Sequence, residues 1–357
     1  MGADWREGLL DVYRGKRVLI TGDTGFKGSW LAWMLADAGA EVTGYALKPP
    51  TRPNLFDICG LRLRIDSRLG DIRDYDRLQA VFDEKRPEIV FHLAAQPIVR
   101  DSYDDPRYTF DVNVMGTVNV LECVRRSDGV ASVLNVTTDK VYLNSDAPDH
   151  AFVEDDPLDG YDPYSNSKSC SELVTHSYAR SFDMPPVSTA RAGNVIGGGD
   201  FAPHRIVPDC VRAMEQVEPI CIRNPHSTRP FQHVLEPLGA YLLIAARQLE
   251  DPACAGWYNV GPDERDCVST GELAELWCAA WGEPASWFAH PTADDAKHEA
   301  AFLQLDSTKL KETLGWRSVW GIREAVEKTV EWTRCWFSDG NTDELMSRQV
   351  RQFLEGE

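Results

Sequence analysis

The sequence predicts an α/β fold: a doubly wound parallel sheet with a smaller, discontinuous C-terminal domain. Short β-rich runs alternate with helical stretches through the first half of the chain, as strands joined by crossover helices do. Three glycines, at positions 22, 25 and 28, follow the first run directly. After Arg191 the alternation stops and Gly and Pro become frequent.

The strand-like runs are Arg17 to Thr21, Glu41 to Tyr45, Leu61 to Ile65, Glu88 to Leu93, Ser132 to Val136 and Pro186 to Arg191. All but the third are dense in Val, Ile, Leu or aromatics, the pattern of strands covered on both faces. The segment beyond reads as loop-rich cap, with GGGD at Gly197 to Asp200 and prolines at 203, 208, 225, 230 and 237. WYNVGP, Trp257 to Pro262, reads as a strand that returns to the main sheet. Residues 1–190 and 231–261 are therefore assigned to the larger domain, and 191–230 and 262–345 to the cap.

With 357 residues and 43% hydrophobic side chains, the chain has length for one large core and a smaller lobe. A formal charge of -19 opposes approach to nucleic acid or an anionic membrane, so a phosphate ligand needs a local basic pocket. No run of roughly 18 apolar residues suggests a membrane span, and the N-terminus lacks a signal peptide's apolar stretch, which predicts a cytoplasmic protein. The nine cysteines are scattered and lack a Cys-x-x-Cys pair, which predicts reduced core thiols and no metal.

The run T-G-D-T-G-F-K-G-S links the first strand to the apolar helix SWLAWMLADAGA. Glycines there permit the tight turn, let backbone approach a pyrophosphate, and let helix pack on strand, while the helix N-terminus meets the negative charge. This strand-turn-helix context makes the larger domain a Rossmann-like dinucleotide-binding one. The order Lys27-Gly28-Ser29 does not match a triphosphate-binding loop, which needs Gly-Lys-Ser/Thr. The second strand ends Tyr45-Ala46-Leu47-Lys48 without the acid that grips the adenosine ribose of NAD. Lys48 and Arg52 leave a 2′-phosphate, and hence NADP, open. Asp71, in Gly70-Asp71-Ile72, could instead meet an adenine amino group.

Tyr164 and Lys168 are four apart and share a helix face, and Thr137-Thr138-Asp139 ends the fifth strand, where such sheets line their ligand crevice. Bringing a phenol from ~10 to near neutrality requires roughly 4 kcal/mol, which a lysine one turn away and a cationic nicotinamide would supply.

With these motifs in order, the chain resembles the extended short-chain dehydrogenase/reductases and, within them, the CDP-glucose 4,6-dehydratases. The superfamily likeness rests on the glycine and Tyr/Lys motifs. The subgroup rests on GFKGSW, TTDKVY, NVIGGGD and RNPHSTRPFQHV. The resemblance implies that Tyr164 takes the C4 hydroxyl proton as hydride leaves for NAD, with Lys168 lowering the phenol pKa and holding ribose and Thr138 orienting the 4-oxygen. A base then removes the C5 proton, Asp139 protonates the departing C6 hydroxyl, and hydride returns to C6, leaving a 4-keto-6-deoxy sugar. The cofactor is expected along Gly22, Thr24, Gly25, Phe26, Lys27 and Gly28, with Asp71 and Ile72 on the adenine side and Leu93, Ala94 and Ala95 opposite. The nucleotide sugar is expected at Gln96, Asn194, Arg205, Arg229, Gln232 and His298. Arg191, Arg223 and His233 cluster in the same motifs.

Two positions depart from common patterns. Many sugar-nucleotide dehydratases carry Glu after the Asp, and this chain carries Lys140. To act as the C5 base Lys140 must be partly neutral; alternatively it stabilises the developing enolate and another group takes the proton. Asp23 stands where the subgroup commonly has His; it either turns away from pyrophosphate or caps the helix. By resemblance the protein is a homodimer or a dimer of dimers, paired through the helices bearing Tyr164 and Asp111 to Arg126. A GDP- or UDP-sugar dehydratase, a 4-epimerase and a catalytically silent dinucleotide sensor remain the alternatives.

Overall fold

The computed structural model describes residues 4–144, 150–290 and 302–356. Its centre is a seven-stranded parallel sheet made of β1 (Arg17–Thr21), β2 (Glu41–Ala46), β3 (Asp66–Leu69), β4 (Ile89–His92), β5 (Ser132–Val136), β6 (Val187–Ala192) and β7 (Trp257–Val260), in the order β7-β6-β5-β4-β1-β2-β3. The predicted return of Trp257 to Pro262 is realised: β7 pairs in parallel with β6, Tyr258 opposite Ala190.

Side-chain alternation splits the core into two layers. Val18 and Ile20 of β1, Ile89 and Phe91 of β4, and Leu134 and Val136 of β5 face helices α1 (Phe26–Asp37) and, far along the chain, Leu235–Glu250. Leu19, Val90 and Val133, the residues between them, face the layer containing Leu78, Phe82, Val120 and Leu121. Both faces are covered by helices, so the central strands carry apolar residues continuously.

The third strand differs from expectation. Leu61–Leu63 forms a 3-10 turn and the strand is Asp66-Ser67-Arg68-Leu69. As the sheet's edge, β3 is half-exposed and holds itself with ion pairs, Asp66 to Arg68 at 2.6 Å and to Lys85 at 2.6 Å. Apolar density marks doubly covered strands, so it pointed to the preceding turn, where Leu61 is buried.

The remaining helices used below are α2 (Tyr75–Lys85), α3 (Gly116–Arg126), α4 (Pro163–Ser181), α5 (Ile206–Gln216), α6 (Leu235–Glu250), α7 (Thr270–Trp281) and α8 (Ile322–Phe337). A second core gathers Val207, Val211 and Met214 of α5, Leu273 and Trp277 of α7, and Val326 and Val330 of α8. The segment read as loop-rich thus holds a regular helix. Pro208 is tolerated in α5 because it lies in the first turn, where backbone N–H groups have no intrahelical acceptor. Trp316, Trp320 and Trp332 are buried. All nine cysteines are free thiols, but only Cys59, Cys123 and Cys210 are buried and Cys221 is exposed, so the reading of them all as core residues is corrected.

Candidate active site

The sheet order reverses between β1 and β4, and the crevice at this switch point is where ligands of such sheets bind. Gly22 turns the chain there with φ +83°, and a Cβ on it would stand 2.7 Å from the Ala94 amide nitrogen. A Cβ on Gly28 would stand 2.0 Å from the Gly22 carbonyl oxygen, so α1 can sit this close to the turn only with glycine. Gly25 precedes α1 and caps it with no side chain, leaving the amides of the first turn for an anion. Thr24 Oγ1 donates to the Leu47 carbonyl at 2.9 Å, and Ala94 N–H donates to Thr21 Oγ1 at 3.2 Å, which ties the rims together. Leu93, Ala94 and Ala95 follow β4 on the facing edge. Phe26 lies against Gly197, where a Cβ would come 3.2 Å from its ring. These features fit a dinucleotide.

On the β2 and β3 side a cavity of about 530 Å³ is lined by Leu47, Lys48, Leu69, Gly70, Asp71 and Arg77. The Asp71 carboxylate is engaged there by Arg73, with Nη2 at 2.7 Å, and held below the ordinary carboxylate range. Ile72 is buried against Gly116. Lys48 and Arg52 are exposed.

Asp23 neither caps α1 nor turns to solvent. It is fully buried between β2 and β3, where Oδ2 accepts from Ser67 Oγ at 2.7 Å and Oδ1 has no partner among the described residues. A Cβ on Gly44 would stand 2.1 Å from Oδ2, so the carboxyl occupies space that only glycine leaves. Burial pushes its pKa up to about 6, against the Ser67 hydrogen bond.

The catalytic candidates converge from two elements. Asp162 caps α4 by accepting from Ser165 N–H at 3.0 Å, and Pro163 opens its first turn, which sets Tyr164 at the mouth. Lys168, one turn on, is buried and its Nζ donates to the carbonyl of Val136, the last residue of β5, at 3.1 Å. The chain continues extended through Thr138, whose hydroxyl donates to Asp139 Oδ1 at 2.8 Å and accepts from Lys140 N–H at 3.4 Å. Asp139 is 1% exposed and its Oδ2 has no partner among the described residues. Burial raises its pKa, while Lys140, the Thr138 hydroxyl, Arg229 and Lys27 oppose.

The Tyr164 phenol is pushed up to about 12, chiefly by burial and then by Asp139 and Asp162, against Thr138 and Arg205. The Lys168 ammonium is turned to Val136 and is itself pushed down to about 8 by burial. Lys140 is partly exposed. Lys27 is the second depressed lysine, at about 8 through burial, Arg205 and Lys168, and its Nζ sits 6.0 Å from the centre of the Tyr241 ring.

On the cap side Arg205 pairs with the buried Asp200 at 3.1 Å, and Arg229 is buried with Nη1 donating to the Thr228 carbonyl at 2.8 Å. The Asn194 carbonyl accepts from Gln232 N–H at 3.0 Å. Gln232 is buried and donates to Val260 at 2.9 Å, with Oε1 unpartnered among the described residues. Gln96 turns inward, its amide donating to Ile98 and Thr109 and accepting from Ile98 N–H, so it shapes its own loop instead of facing a sugar. Arg191 leaves the substrate cluster altogether, being buried against Glu172. His233 is buried between Trp30 and Trp320, and Arg223 is exposed. His298 lies outside the described residues.

Three contributors were missed from sequence. Glu172 binds the Thr137 hydroxyl, Thr189 at 2.7 Å and Arg191. Its spacing of one turn after Lys168 was the available signal. Asn113, in a π-helical turn before α3, clamps the Gln96 backbone from both sides and donates to Ser167 Oγ at 2.9 Å. Tyr241 puts its ring beneath Lys27 and carries a buried hydroxyl that is unpartnered among the described residues. Neither Asn113 nor Tyr241 carried a sequence mark.

The family model described as GDP-mannose 4,6 dehydratase matches residues 19–329. A CDP-glucose 4,6-dehydratase of Salmonella typhimurium is 42% identical over 354 residues, covering 96% of this chain and 98% of the relative. A UDP-glucose 4-epimerase of Mycolicibacterium smegmatis is 30% identical, covering 89% and 98%. Among solved structures, an epimerase from Methanothermobacter thermautotrophicus superposes with TM-score 0.79 at 26% identity, covering 96% and 97%. A dTDP-glucose 4,6-dehydratase from Bacillus anthracis in complex with NAD superposes at 0.74 and 21%, covering 89% and 96%.

Proposed function

From a chain that belongs to the GDP-mannose 4,6 dehydratase family, we infer an NAD-dependent sugar-nucleotide 4,6-dehydratase that converts CDP-glucose to CDP-4-keto-6-deoxyglucose. The observation that carries the reading is the hydrogen-bonded pair Thr138 and Asp139 at the end of β5, with Tyr164 and Lys168 on one face of α4, in a chain alike end to end to a CDP-glucose 4,6-dehydratase. An epimerase needs no acid for a departing C6 hydroxyl; Asp139, its pKa raised by burial and one oxygen uncommitted, suits that task.

The cradle of Gly22, Gly25 and Gly28 would hold NAD, which would supply the acceptor for a hydride from C4 and its donor to C6. Tyr164 takes the O4 proton, Thr138 orients the 4-oxygen, and Lys168 would hold the ribose of the nicotinamide. Asp139 gives its proton to the C6 hydroxyl. Lys140 serves at C5, as base or as the cation that stabilises the enolate. Asn194, Arg205 and Arg229 hold the nucleotide diphosphate, since guanidinium forks suit paired phosphate oxygens. The cradle and sheet form the nucleotide-binding domain, 1–190 with 231–261, and the remainder to 345 forms the substrate domain. A homodimer pairs through helices α3 and α4, near or on which Met115, Leu173 and Phe182 are exposed. Among the described residues no helix is long and apolar enough to cross a membrane.

The test is incubation with CDP-glucose and sub-stoichiometric NAD, followed by detection of a 4-keto sugar without net accumulation of NADH. Absence of turnover with CDP-, GDP-, UDP- and dTDP-glucose alike defeats the reading; accumulation of a C4 epimer replaces it.

A further inference from the structure

The segment Gly197 to Asp200 is held by the helix that carries the glycine cradle. Trp30 of α1 donates its indole N–H to the Gly198 carbonyl at 3.0 Å, and a Cβ on Gly197 would come 3.2 Å from the Phe26 ring. From the cap side Trp332 of α8 closes on Gly198, where a Cβ would stand 2.0 Å from the indole. Gly199 then turns with φ +86°, and Arg212 of α5 reaches back to the carbonyls of Phe201 and Ala202 at 3.4 and 3.5 Å. Asp200 lies between these anchors, so its position is set by both domains.

The two members of the Asp200–Arg205 pair are placed very differently. The Asp200 side chain is 4% exposed and both its oxygens are used: Oδ1 accepts from Ala202 N–H at 3.1 Å and Oδ2 from Arg205 Nη1 at 3.1 Å. The Arg205 side chain is 38% exposed, and its Nε and Nη2 make no hydrogen bond among the described residues. Those two donors form the side edge of the guanidinium, the edge that matches a pair of phosphate oxygens. Arg205 lowers and Asp200 raises the pKa of Lys27 on α1, so the pair lies within the field of the cradle turn.

We propose that Asp200 is a positioning residue for the diphosphate of the nucleotide sugar: by holding Arg205 Nη1 it fixes the plane of the guanidinium and leaves the Nε and Nη2 edge open to the phosphates. An unheld arginine samples many rotamers and loses them on binding, whereas a held one has lost them already in folding. Because the loop under Asp200 hangs from Trp30, the substrate's diphosphate is registered to the same helix that receives the dinucleotide. The competing role is charge alone. A carboxylate beside a diphosphate weakens binding by repulsion, so the sign of the effect on removing it decides between positioning and charge.

This inference rests on the nucleotide-sugar reading of the cap, and the experiment separates the two. The NAD-loaded protein is titrated calorimetrically with CDP as wild type, Asp200→Asn, Arg205→Gln and the double variant. Asn keeps an oxygen for Ala202 N–H and gives up the anionic grip on the guanidinium. CDP affinity is expected to fall about three- to tenfold in Asp200→Asn and to fall no further when the same change is made in Arg205→Gln. KM for CDP-glucose rises to match, with kcat lowered less than about twofold, since the diphosphate is bound equally before and during the chemistry. If Asn disturbs the loop, Asp200→Ser, which still accepts from Ala202 N–H, gives the same pattern. Tighter CDP binding by Asp200→Asn, an equal loss with and without Arg205, or wild-type affinity in Arg205→Gln overturns the positioning role. No binding of any nucleoside diphosphate by wild type overturns the nucleotide-sugar reading instead.

Discussion

Glu172 and Arg191 form an ion pair in which both side chains are wholly buried, Oε2 to Nη2 at 3.0 Å, joining α4 to β6. Glu172 also accepts from Thr137 and Thr189, and Arg191 also donates to Tyr142 at 2.8 Å and to the Glu154 carbonyl at 2.9 Å, while its Nε has no partner among the described residues. Removing one partner of such a pair leaves an uncompensated buried charge, at a cost of about 3–5 kcal/mol, whereas replacing both with apolar groups costs far less. Arg191→Met is expected to lower stability to chemical denaturant by that amount, and Arg191→Met with Glu172→Leu to recover most of it. Although burial pushes the Glu172 carboxyl up, Arg191, the His176 ring 3.3 Å away and the Thr137 hydrogen bond hold it at about 2. Its folded value lies below its unfolded one, so its contribution is complete above about pH 4.5 and is lost as pH falls toward 2. A single Arg191→Met cost under about 1 kcal/mol would show the pair to be incidental.

Asp139 separates oxidation from elimination. Asn in its place keeps the size and a hydrogen-bond acceptor for Thr138 but cannot deliver a proton to a leaving hydroxyl. With NAD-loaded Asp139→Asn, stopped-flow absorbance is expected to show reduced cofactor building up, while formation of 4-keto-6-deoxy product falls by about 10²–10⁴-fold. Equal loss of both signals would place Asp139 at the oxidation step or in mere positioning.

The parallel sheet and the crevice were legible because their signals are local. Doubly covered strands write themselves as apolar runs, and the Gly22, Gly25 and Gly28 spacing is demanded by contacts within one turn and one helix. Tyr164, Lys168 and Asp139 were legible for the same reason: a helix face and a strand end place them. The edge strand Asp66–Leu69 was not, since half-exposed strands carry no apolar density. Arg191 was misassigned because a buried guanidinium and a phosphate-binding one look alike until the partner is known, and Glu172 lies 19 positions away. The phenol's upward shift depends on how many atoms crowd it, a property of tertiary packing that spacing does not encode.

Lys27 is expected to tune Asp139 from the glycine-rich turn. It faces the carboxyl as a cation, opposing the upward push of burial, so its loss should raise the Asp139 pKa. If the protonated acid is the active form, kcat for Lys27→Met should persist to higher pH than in wild type, with the alkaline limb moving upward by roughly half a unit to one unit. Glycine spacing and fold are untouched by the change, so far-UV circular dichroism should be unaltered. An alkaline limb that stays in place, or moves to lower pH, would remove Lys27 from the acid's surroundings.

Asp23 is a burden on the fold that pH should reveal. Burial raises its carboxyl from an ordinary value of 3.8 to about 6. A folded value above the unfolded one means that the protonated side chain is favoured in the native state. Its contribution is therefore full below about pH 4 and is lost as pH rises through 6, which amounts to about 3 kcal/mol at neutral pH. Asp23→Asn retains an oxygen for the Ser67 hydroxyl without the charge, so it is expected to stabilise the protein at pH 7.5 by about 1–3 kcal/mol, an advantage that shrinks toward zero by pH 4. Urea unfolding at the two pH values measures the difference. A gain that is the same at both, or a loss at pH 7.5, would mean that the Asp23 carboxylate is not held uncompensated between β2 and β3.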